Sequence, residues 1–270
     1  MTGVFFAARR FGIIQRLASG CLSTSCEAPI VPVFFLVGNT TIKMERRKSD
    51  VRIFPLATAA SEVASALAGL TGETAVAASV NPAAESLLTE ACRRAGLRAP
   101  LFAKRDFPLG VDLAVDNPDV VGVDRILNVK AAYARAKKAV AAVDLGTAVS
   151  ISVADDGGCF VGGAILPGAG LGLRALAENT AFLPPVAFEA PESPLGRDTA
   201  SAMRSGVFYG TLGAVREIVA RIGLVLDRDL AVFLTGGDAA LLASAAPKDW
   251  IVVPALTLEG LRLAYDERGS

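Results

Sequence analysis

The sequence of 270 residues contains no histidine. This absence excludes a Ser-His-Asp or Cys-His nucleophile system and any zinc site with histidine ligands. Acid–base chemistry in this chain therefore has to come from Asp, Glu, Lys, Tyr or Cys side chains. Phosphoryl transfer stays open, because it depends mainly on positioning and charge and needs no imidazole.

Net charge, a long hydrophobic run and a C-x-x-C pair are also missing. The 27 basic residues balance the 27 acidic ones, which argues against a protein that neutralises nucleic-acid phosphates. The longest apolar run, residues 28–38, is shorter than the ~20 residues of a membrane helix. The four cysteines are best interpreted as reduced thiols. We therefore expect a cytoplasmic protein that binds neither nucleic acid nor membrane.

Residues 1–30 differ in composition from the rest of the chain. They contain Arg9, Arg10 and Arg16 and no acidic residue before Glu27. Such a composition fits a targeting peptide, but charges interrupt its apolar stretch and no small-residue cleavage site follows. We expect a poorly ordered extension of unknown role, or a wrongly assigned start, and leave it out of the fold argument.

From residue 31 onward, apolar strands alternate with Ala- and Leu-rich segments at helical spacing. This alternation predicts an α/β fold, with a parallel or mixed sheet flanked by helices. An apolar strand, a small polar turn and a second strand open at residue 32, and the same pattern returns near residue 140. We predict two lobes of like fold, residues 31–139 and 140–270, with a cleft between them.

Overlaying the two turns aligns Gly38 with Gly146, and it therefore aligns Leu36 with Asp144. The second copy carries a carboxylate at the end of its first strand, and the first copy does not. Asp144-Leu145-Gly146-Thr147 offers a carboxylate for a cation, with main-chain N–H groups and a hydroxyl for a phosphate. The alternative is an Asp that only closes a hairpin turn.

Two further segments offer chemistry. Gly122-Val123-Asp124-Arg125 opens a helix, where Asp124 can take a proton late in phosphoryl transfer and Arg125 can pair with a carboxylate. Gly236 and Gly237 follow a strand and let a ring or phosphate approach the main chain. The alternative for the first segment is an ordinary helix start, and for the second it is an ordinary strand-to-helix turn that needs glycine.

Gly206, Gly210 and Gly213 predict a seam of small residues that packs against another helix.

In order along the chain, these segments resemble the type III pantothenate kinases, which belong to the acetate/sugar kinase, heat-shock ATPase and actin-like superfamily. The matching stretches are Gly38-Asn39-Thr40-Thr41-Ile42-Lys43, Gly122-Val123-Asp124-Arg125, Asp144-Leu145-Gly146-Thr147, residues 162–168, residues 176–184, Leu195-Gly196-Arg197-Asp198-Thr199, Arg204-Ser205-Gly206 and Leu234-Thr235-Gly236-Gly237-Asp238. The resemblance implies a duplicated ribonuclease-H-like fold and a homodimer. The implied activity is ATP-dependent phosphorylation of pantothenate, the first step toward coenzyme A, with Mg²⁺ and a monovalent cation (K⁺ or NH₄⁺).

The resemblance also implies roles for individual residues. Asp124 would accept the proton of the pantothenate hydroxyl, and Asp144 would hold the monovalent cation. Pantothenate would lie against Gly122, Val123, Asp124, Arg125 and Thr199, with Arg125 on its carboxylate. ATP would bind Val37, Gly38, Asn39, Thr40, Thr41, Ile42, Lys43, Thr147, Gly236 and Gly237.

Three positions depart from the family pattern. Leu36 stands where the first loop carries Asp, Val115 where the family often has Tyr, and Ala164 where a His or aromatic residue often follows the paired glycines. Losing a carboxylate that organises magnesium and ATP could cost on the order of 10²–10³ in rate. Two alternatives therefore accompany an active pantothenate kinase. One is a degenerate, nucleotide-binding or regulatory homologue. The other is a kinase for another hydroxylated acid or a sugar.

Overall fold

Two five-stranded mixed sheets form the framework of the protein in the computed structural model, which describes residues 32–47, 50–70 and 72–268. The first sheet has the order β3-β2-β1-β4-β5, with β1 Val33–Val37, β2 Thr41–Glu45, β3 Val51–Pro55, β4 Ala75–Ser79 and β5 Leu101–Phe102. The second has the order β8-β7-β6-β9-β10, with β6 Val140–Leu145, β7 Ala148–Ala154, β8 Phe160–Pro167, β9 Ala231–Thr235 and β10 Ile251–Val252.

Helices cover both sheets. They are α1 Ala59–Leu67, α2 Pro82–Arg94, α3 Val123–Ala136, α4 Ala169–Glu178, α5 Thr199–Leu226, α6 Ala239–Ala243 and α7 Leu256–Glu267, with a 3₁₀ turn at Pro118–Val120. Local sequence explains several helix starts. Asn81 caps α2 by accepting from the Ala84 N–H, with Pro82 in the first turn, and Asp198 caps α5 by accepting from the Ser201 N–H. The predicted extension, residues 1–30, lies outside the described residues.

The two sheets repeat one topology. In each, the central strand pairs antiparallel with the second strand and parallel with the fourth. Leu36 lies opposite Lys43 and Ala78, and Asp144 lies opposite Ser150 and Thr235, one residue before the end of its strand in both cases. The predicted α/β fold with two related, helix-flanked mixed sheets is therefore confirmed, and Leu36 is the structural counterpart of Asp144.

Helix α3 lies between the two sheets and is buried on both sides. Ile126 and Leu127 join an apolar cluster with Phe34 of β1, whereas Val129 and Ala132 join a cluster with strands of the second sheet. The burial of apolar side chains on two opposite faces fixes α3 relative to both sheets. Asp124 lies in the first turn of this helix.

Helix α7 follows the second sheet in sequence but packs against α3, β1 and β4. Arg262 of α7 forms an ion pair with Glu45 of β2. The division into lobes at residues 31–139 and 140–270 stays a prediction. Helix α7 belongs to the second predicted lobe by sequence, but it packs on the sheet of the first.

The predicted glycine seam on α5 meets no helix in the described part of the chain. A Cβ atom added at Gly206, Gly210 or Gly213 would have nothing within 4 Å. For a single chain, the prediction that these glycines pack against another helix is therefore wrong, since they lie on the exposed face of α5.

We expect Gly260→Ala to destabilise the fold. A Cβ at Gly260 of α7 would lie 2.0 Å from the Leu127 carbonyl oxygen of α3. Because main chain cannot move aside as a side chain can, the free energy of unfolding should fall by about 2–3 kcal/mol in urea titration. Gly172→Ala is the control, since its Cβ meets only Val207 Cγ2 at 3.9 Å and helix propensity predicts a gain of up to about 1 kcal/mol. Equal stability of wild type and Gly260→Ala would contradict the tight α3–α7 contact.

Candidate active site

Four segments that the sequence singled out meet in one cleft of about 490 Å³, which the start of α4 also lines. They are the β1–β2 turn, the β6–β7 turn, the β9–α6 turn and the first turn of α3. The lining residues that the sequence singled out are Leu36, Gly38, Asn39, Thr40, Thr41, Lys43, Asp124, Asp144, Gly146, Thr147, Gly236, Gly237 and Asp238. The ends of the central strands of both sheets therefore face the same space.

The turns that line this cleft are tight, and glycines permit their close approach. The Gly38 N–H donates to the Thr41 carbonyl at 2.9 Å, and the Gly146 N–H donates to the Ala148 carbonyl at 3.1 Å. Gly236 has a φ of +99°, and a Cβ there would lie 2.6 Å from Asp144 Oδ1. A larger residue at position 236 would push against the carboxylate.

The two central carboxyl groups titrate above their ordinary range. Burial raises the pKa of Asp144; Lys43 opposes this, the negative charge of Asp124 adds to it, and the Asn128 amide opposes it. Burial also raises the pKa of Asp124, although the Arg125 N–H donates to Asp124 Oδ1 at 2.8 Å and lowers it. Burial raises the pKa of Asp238 as well. The cleft therefore favours carboxyl groups that take up protons readily.

The Asp124 carboxylate folds back over the residue that precedes its helix. A Cβ at Gly122 would lie 2.6 Å from Asp124 Oδ1. Glycine at this position therefore leaves room for the carboxylate over the start of α3, where the helix dipole favours negative charge. Val123 is buried in the core, so its side chain does not face the cleft.

Asn128 and Thr257 belong to the site and escaped the sequence analysis. Asn128 is fully buried one turn after Asp124, and its Nδ2 donates to Asp144 Oδ2 at 3.4 Å. The Thr257 hydroxyl of α7 donates to Asn128 Oδ1 at 2.7 Å. Because the amide oxygen accepts from Thr257, the amide nitrogen points toward Asp144. The only sequence signal is a polar residue on a helix whose neighbouring positions are apolar.

Arg125 points away from Asp144, toward β7 and β8. Its Nε donates to the Ser152 hydroxyl at 3.1 Å, and its guanidinium carbon lies 5.3 Å from the centre of the Phe160 ring. These partners are a neutral hydroxyl and an aromatic ring, so they orient the cation without neutralising it. Gly163, with a φ of +149°, leaves space beside it, since a Cβ there would lie 3.2 Å from Nη2.

Six predicted site residues are not among those that line the cleft: Val37, Ile42, Gly122, Val123, Arg125 and Thr199. Val37 and Ile42 are fully buried in the core of the first sheet, so only their main chain could meet a ligand. Thr199 is exposed at the start of α5, outside the set of residues that line the cleft.

The donor set of the cleft fits a cation that is shared with a phosphate ligand. Asp144 offers a carboxylate and Thr147 a hydroxyl. Within residues 32–47, 50–70 and 72–268, no cluster of three or more Asp, Glu or Cys side chains could hold a metal ion. Mg²⁺ usually binds one or two carboxylates together with substrate phosphates and water, and this arrangement matches that pattern.

A second cavity, of about 610 Å³, is larger but chemically different. It is lined by α7, β10 and Glu45, and four of its five charged residues form ion pairs, Arg262 with Glu45 and Arg135 with Glu259. None of the glycine turns of the first cleft reaches it. The smaller cleft is therefore the candidate active site.

Comparison with protein families gives a match to the type III pantothenate kinase model over residues 34–221. A type III pantothenate kinase of Dehalococcoides mccartyi is 42% identical over 167 residues, which are 62% of this chain and 65% of the relative. One of Anaeromyxobacter sp. is 38% identical over 191 residues, 71% of this chain and 75% of the relative. The matched region thus spans about two thirds to three quarters of these relatives.

Solved structures support the fold. A Campylobacter jejuni protein assigned to the Baf family of transcriptional activators superposes with a TM-score of 0.61 at 17% identity, covering 88% of this chain and 98% of its own. A Sinorhizobium meliloti protein assigned as a 2-dehydro-3-deoxygalactonokinase superposes with a TM-score of 0.53 at 14% identity, covering 86% and 97%. At these identities the likeness concerns the fold alone.

We expect Asp124→Asn to stabilise the ligand-free protein increasingly as pH rises. The folded-state pKa of Asp124 lies above its unfolded value, so the unfolded chain loses this proton first. In the wild type, the contribution of Asp124 to the free energy of unfolding therefore declines as pH rises above about 4. Asn cannot ionise and does not show this decline. Urea unfolding from about pH 3 to 8 measures the difference in unfolding free energy between the two proteins, which should grow above about pH 4 and level off once the folded-state carboxyl is ionised. A difference that stays constant or shrinks over this range would contradict the burial of this carboxyl.

Proposed function

Because this chain belongs to the type III pantothenate kinase family, we propose that it transfers the γ-phosphoryl group of ATP to the primary hydroxyl of pantothenate. The family predicted from the sequence is thereby confirmed. The observation that carries the proposal is the meeting of Asp124, Asp144 and three glycine turns in one cleft between strand ends. The product is 4'-phosphopantothenate, the first intermediate toward coenzyme A.

The β1–β2 and β6–β7 turns are the proposed phosphate-binding elements. Main-chain N–H groups of Asn39 and Thr40 and the Thr147 hydroxyl are suited to phosphate oxygens. Lys43, opposite Leu36 on β2, adds a positive charge to the cleft wall. Gly236 and Gly237 leave main chain open for the nucleotide on the opposite side. The proposed ATP contacts of Val37 and Ile42 go through their main chain.

The acceptor lies on the α3 side of the cleft in this proposal. Arg125, oriented by Ser152 and Phe160, binds the pantothenate carboxylate. Its planar, permanently charged guanidinium suits a carboxylate better than an ammonium would. Gly122, Val123 and the exposed Thr199 complete the proposed acceptor contacts.

Asp124 acts as the proposed proton acceptor. The pantothenate hydroxyl oxygen forms a bond to the γ-phosphorus, the bond from that phosphorus to the β–γ bridging oxygen breaks, and ADP leaves. The hydroxyl proton moves to Asp124. Burial raises the pKa of this carboxyl, which makes it a better base for a proton released late in the reaction.

Asp144 is the proposed cation ligand, held by Asn128 and backed by Gly236. Mg²⁺ and a monovalent cation, when bound, supply positive charge that offsets the charge developing on the transferred phosphoryl group. The Thr257–Asn128 hydrogen bond keeps the carboxylate of Asp144 turned to that side.

The remaining proposals concern partners and location. We propose a homodimer, in which a second copy covers the exposed face of α5 around Gly206, Gly210 and Tyr209. We also propose a cytoplasmic location and no nucleic-acid or membrane partner. Among the described residues, no helix is long and apolar enough to cross a bilayer.

Purified protein with ATP, Mg²⁺, K⁺ and pantothenate should form phosphopantothenate. Asp124→Asn should lower kcat by about 10²–10⁴ because the general base is lost, and Arg125→Gln should mainly raise the KM for pantothenate. Asp229→Asn, which removes an exposed carboxylate between α5 and β9, is the control with wild-type rates. ATP binding without any turnover would favour a degenerate homologue, and turnover of other alcohols alone would favour a different kinase.

Leu36→Asp should restore a second carboxylate to the cleft. Leu36 occupies the position equivalent to Asp144 and lines the same space. We expect kcat to rise, by up to about 10²-fold, and the Mg²⁺ concentration for half-maximal rate to fall. Leu36→Asn has nearly the same shape without the charge and should give neither effect. If the kcat of Leu36→Asp is no higher than that of Leu36→Asn, a carboxylate at position 36 does not assist the reaction, and the prediction is wrong.

A further inference from the structure

Lys104 has an unusual backbone conformation. Three non-glycine residues of the described ranges have positive φ: Lys104 at 72°, Lys137 at 53° and Asp227 at 52°. Lys137 and Asp227 are the C-caps of α3 and α5, where a left-handed residue is common. Lys104 ends no helix. It lies in the turn after β5, where its N–H donates to the Phe107 carbonyl at 2.9 Å.

The side chain of Lys104 reaches a distant segment of main chain. Its Nζ donates to the carbonyl of Asp119 at 2.7 Å, of Val121 at 3.1 Å and of Pro118 at 3.5 Å. An ammonium has three N–H donors, and here all three have a main-chain acceptor in the 3₁₀ turn Pro118–Val120 or directly after it. A strained backbone at a residue with this anchoring role suggests a functional constraint.

The anchored turn leads directly into the acceptor site. Val121 is followed by Gly122, the N-cap of α3, which makes no side-chain capping bond. The Asp124 carboxylate folds back over Gly122, so a shift of the turn moves the carboxylate. The α3 start therefore depends on contacts from outside the helix, and Lys104 provides three of them.

We infer that Lys104 is a positioning residue, whose ammonium clamps the Pro118–Val121 carbonyls and so fixes Gly122 and Asp124 toward the acceptor alcohol. This inference rests on the proposed kinase function. It concerns the acceptor side only, because within the described part of the chain the phosphate turns at Gly38, Gly146 and Gly236 form no main-chain hydrogen bond with the clamped turn.

Lys104→Asn tests the clamp with little backbone change, because Asn accepts left-handed φ more readily than Lys does. The kcat/KM for pantothenate should fall about tenfold, the cost of charged hydrogen bonds, while the KM for ATP changes by less than about twofold. Lys104→Arg, which keeps the charge and several donors, should recover most of the loss. Lys137→Asn is the matched control, since it removes an exposed left-handed lysine at the far end of α3, and it should behave as wild type.

Hydrogen–deuterium exchange of the ligand-free protein tests the role of Lys104 independently of the proposed kinase activity. Amides of residues 121–126 should exchange about tenfold faster in Lys104→Asn than in wild type or Lys137→Asn. Unchanged exchange, or an equal loss of affinity for ATP and pantothenate, would overturn the clamp. A wild type without pantothenate turnover would overturn the proposed function, and the exchange rates would then decide on Lys104 alone.

Discussion

The double burial of α3 is the constraint on which the site depends. A helix on the surface of a sheet can shift by some ångströms while its outer face remains in water. Helix α3 has apolar contacts with the first sheet through Ile126 and Leu127 and with the second through Val129 and Ala132. Displacing it would expose apolar area on both sides, at about 25 cal/mol for each Å². Its first turn, with Asp124, is therefore held at a fixed place relative to the strand ends of both sheets.

Because the two sheets share one topology, equivalent strand ends face each other across the cleft. They differ at one position, where one sheet has Leu36 and the other has Asp144. Both central strands end in a tight turn that lines the shared space. Asp144 carries a charge in the second sheet, whereas Leu36 offers an apolar side chain at the equivalent place in the first. Lys43 lies across from Leu36 and has no carboxylate facing it from β1. The positive charge on this wall is therefore available to Asp144, whose pKa it lowers, and to an anionic ligand.

Local patterns predicted much of this protein. The strand–turn–strand repeat gave the equivalence of Leu36 and Asp144, and the glycines before α3 and after β9 marked segments that do line the cleft. What the sequence did not reveal depends on contacts between distant positions. Thr257 and Asn128 are separated by 129 residues, and α7 crosses to the first sheet although it follows the second. The Lys104 contacts also depend on tertiary packing, because neither residue 104 nor residues 118–121 carry a motif.

The carboxyl groups of the cleft show how function and stability oppose each other here. Burial raises the pKa of Asp124, Asp144 and Asp238, so each ionised group makes the ligand-free fold less stable near neutral pH than a neutral side chain would. Asn128, Lys43 and the α3 N–H groups offset part of this cost through fixed dipoles and one charge. These groups are already oriented before a ligand arrives, and preorganised dipoles of this kind stabilise charge without reorganisation during a reaction. The packing of α3 and α7 therefore supports the site, because it supplies stability that three partly buried acids in the cleft remove.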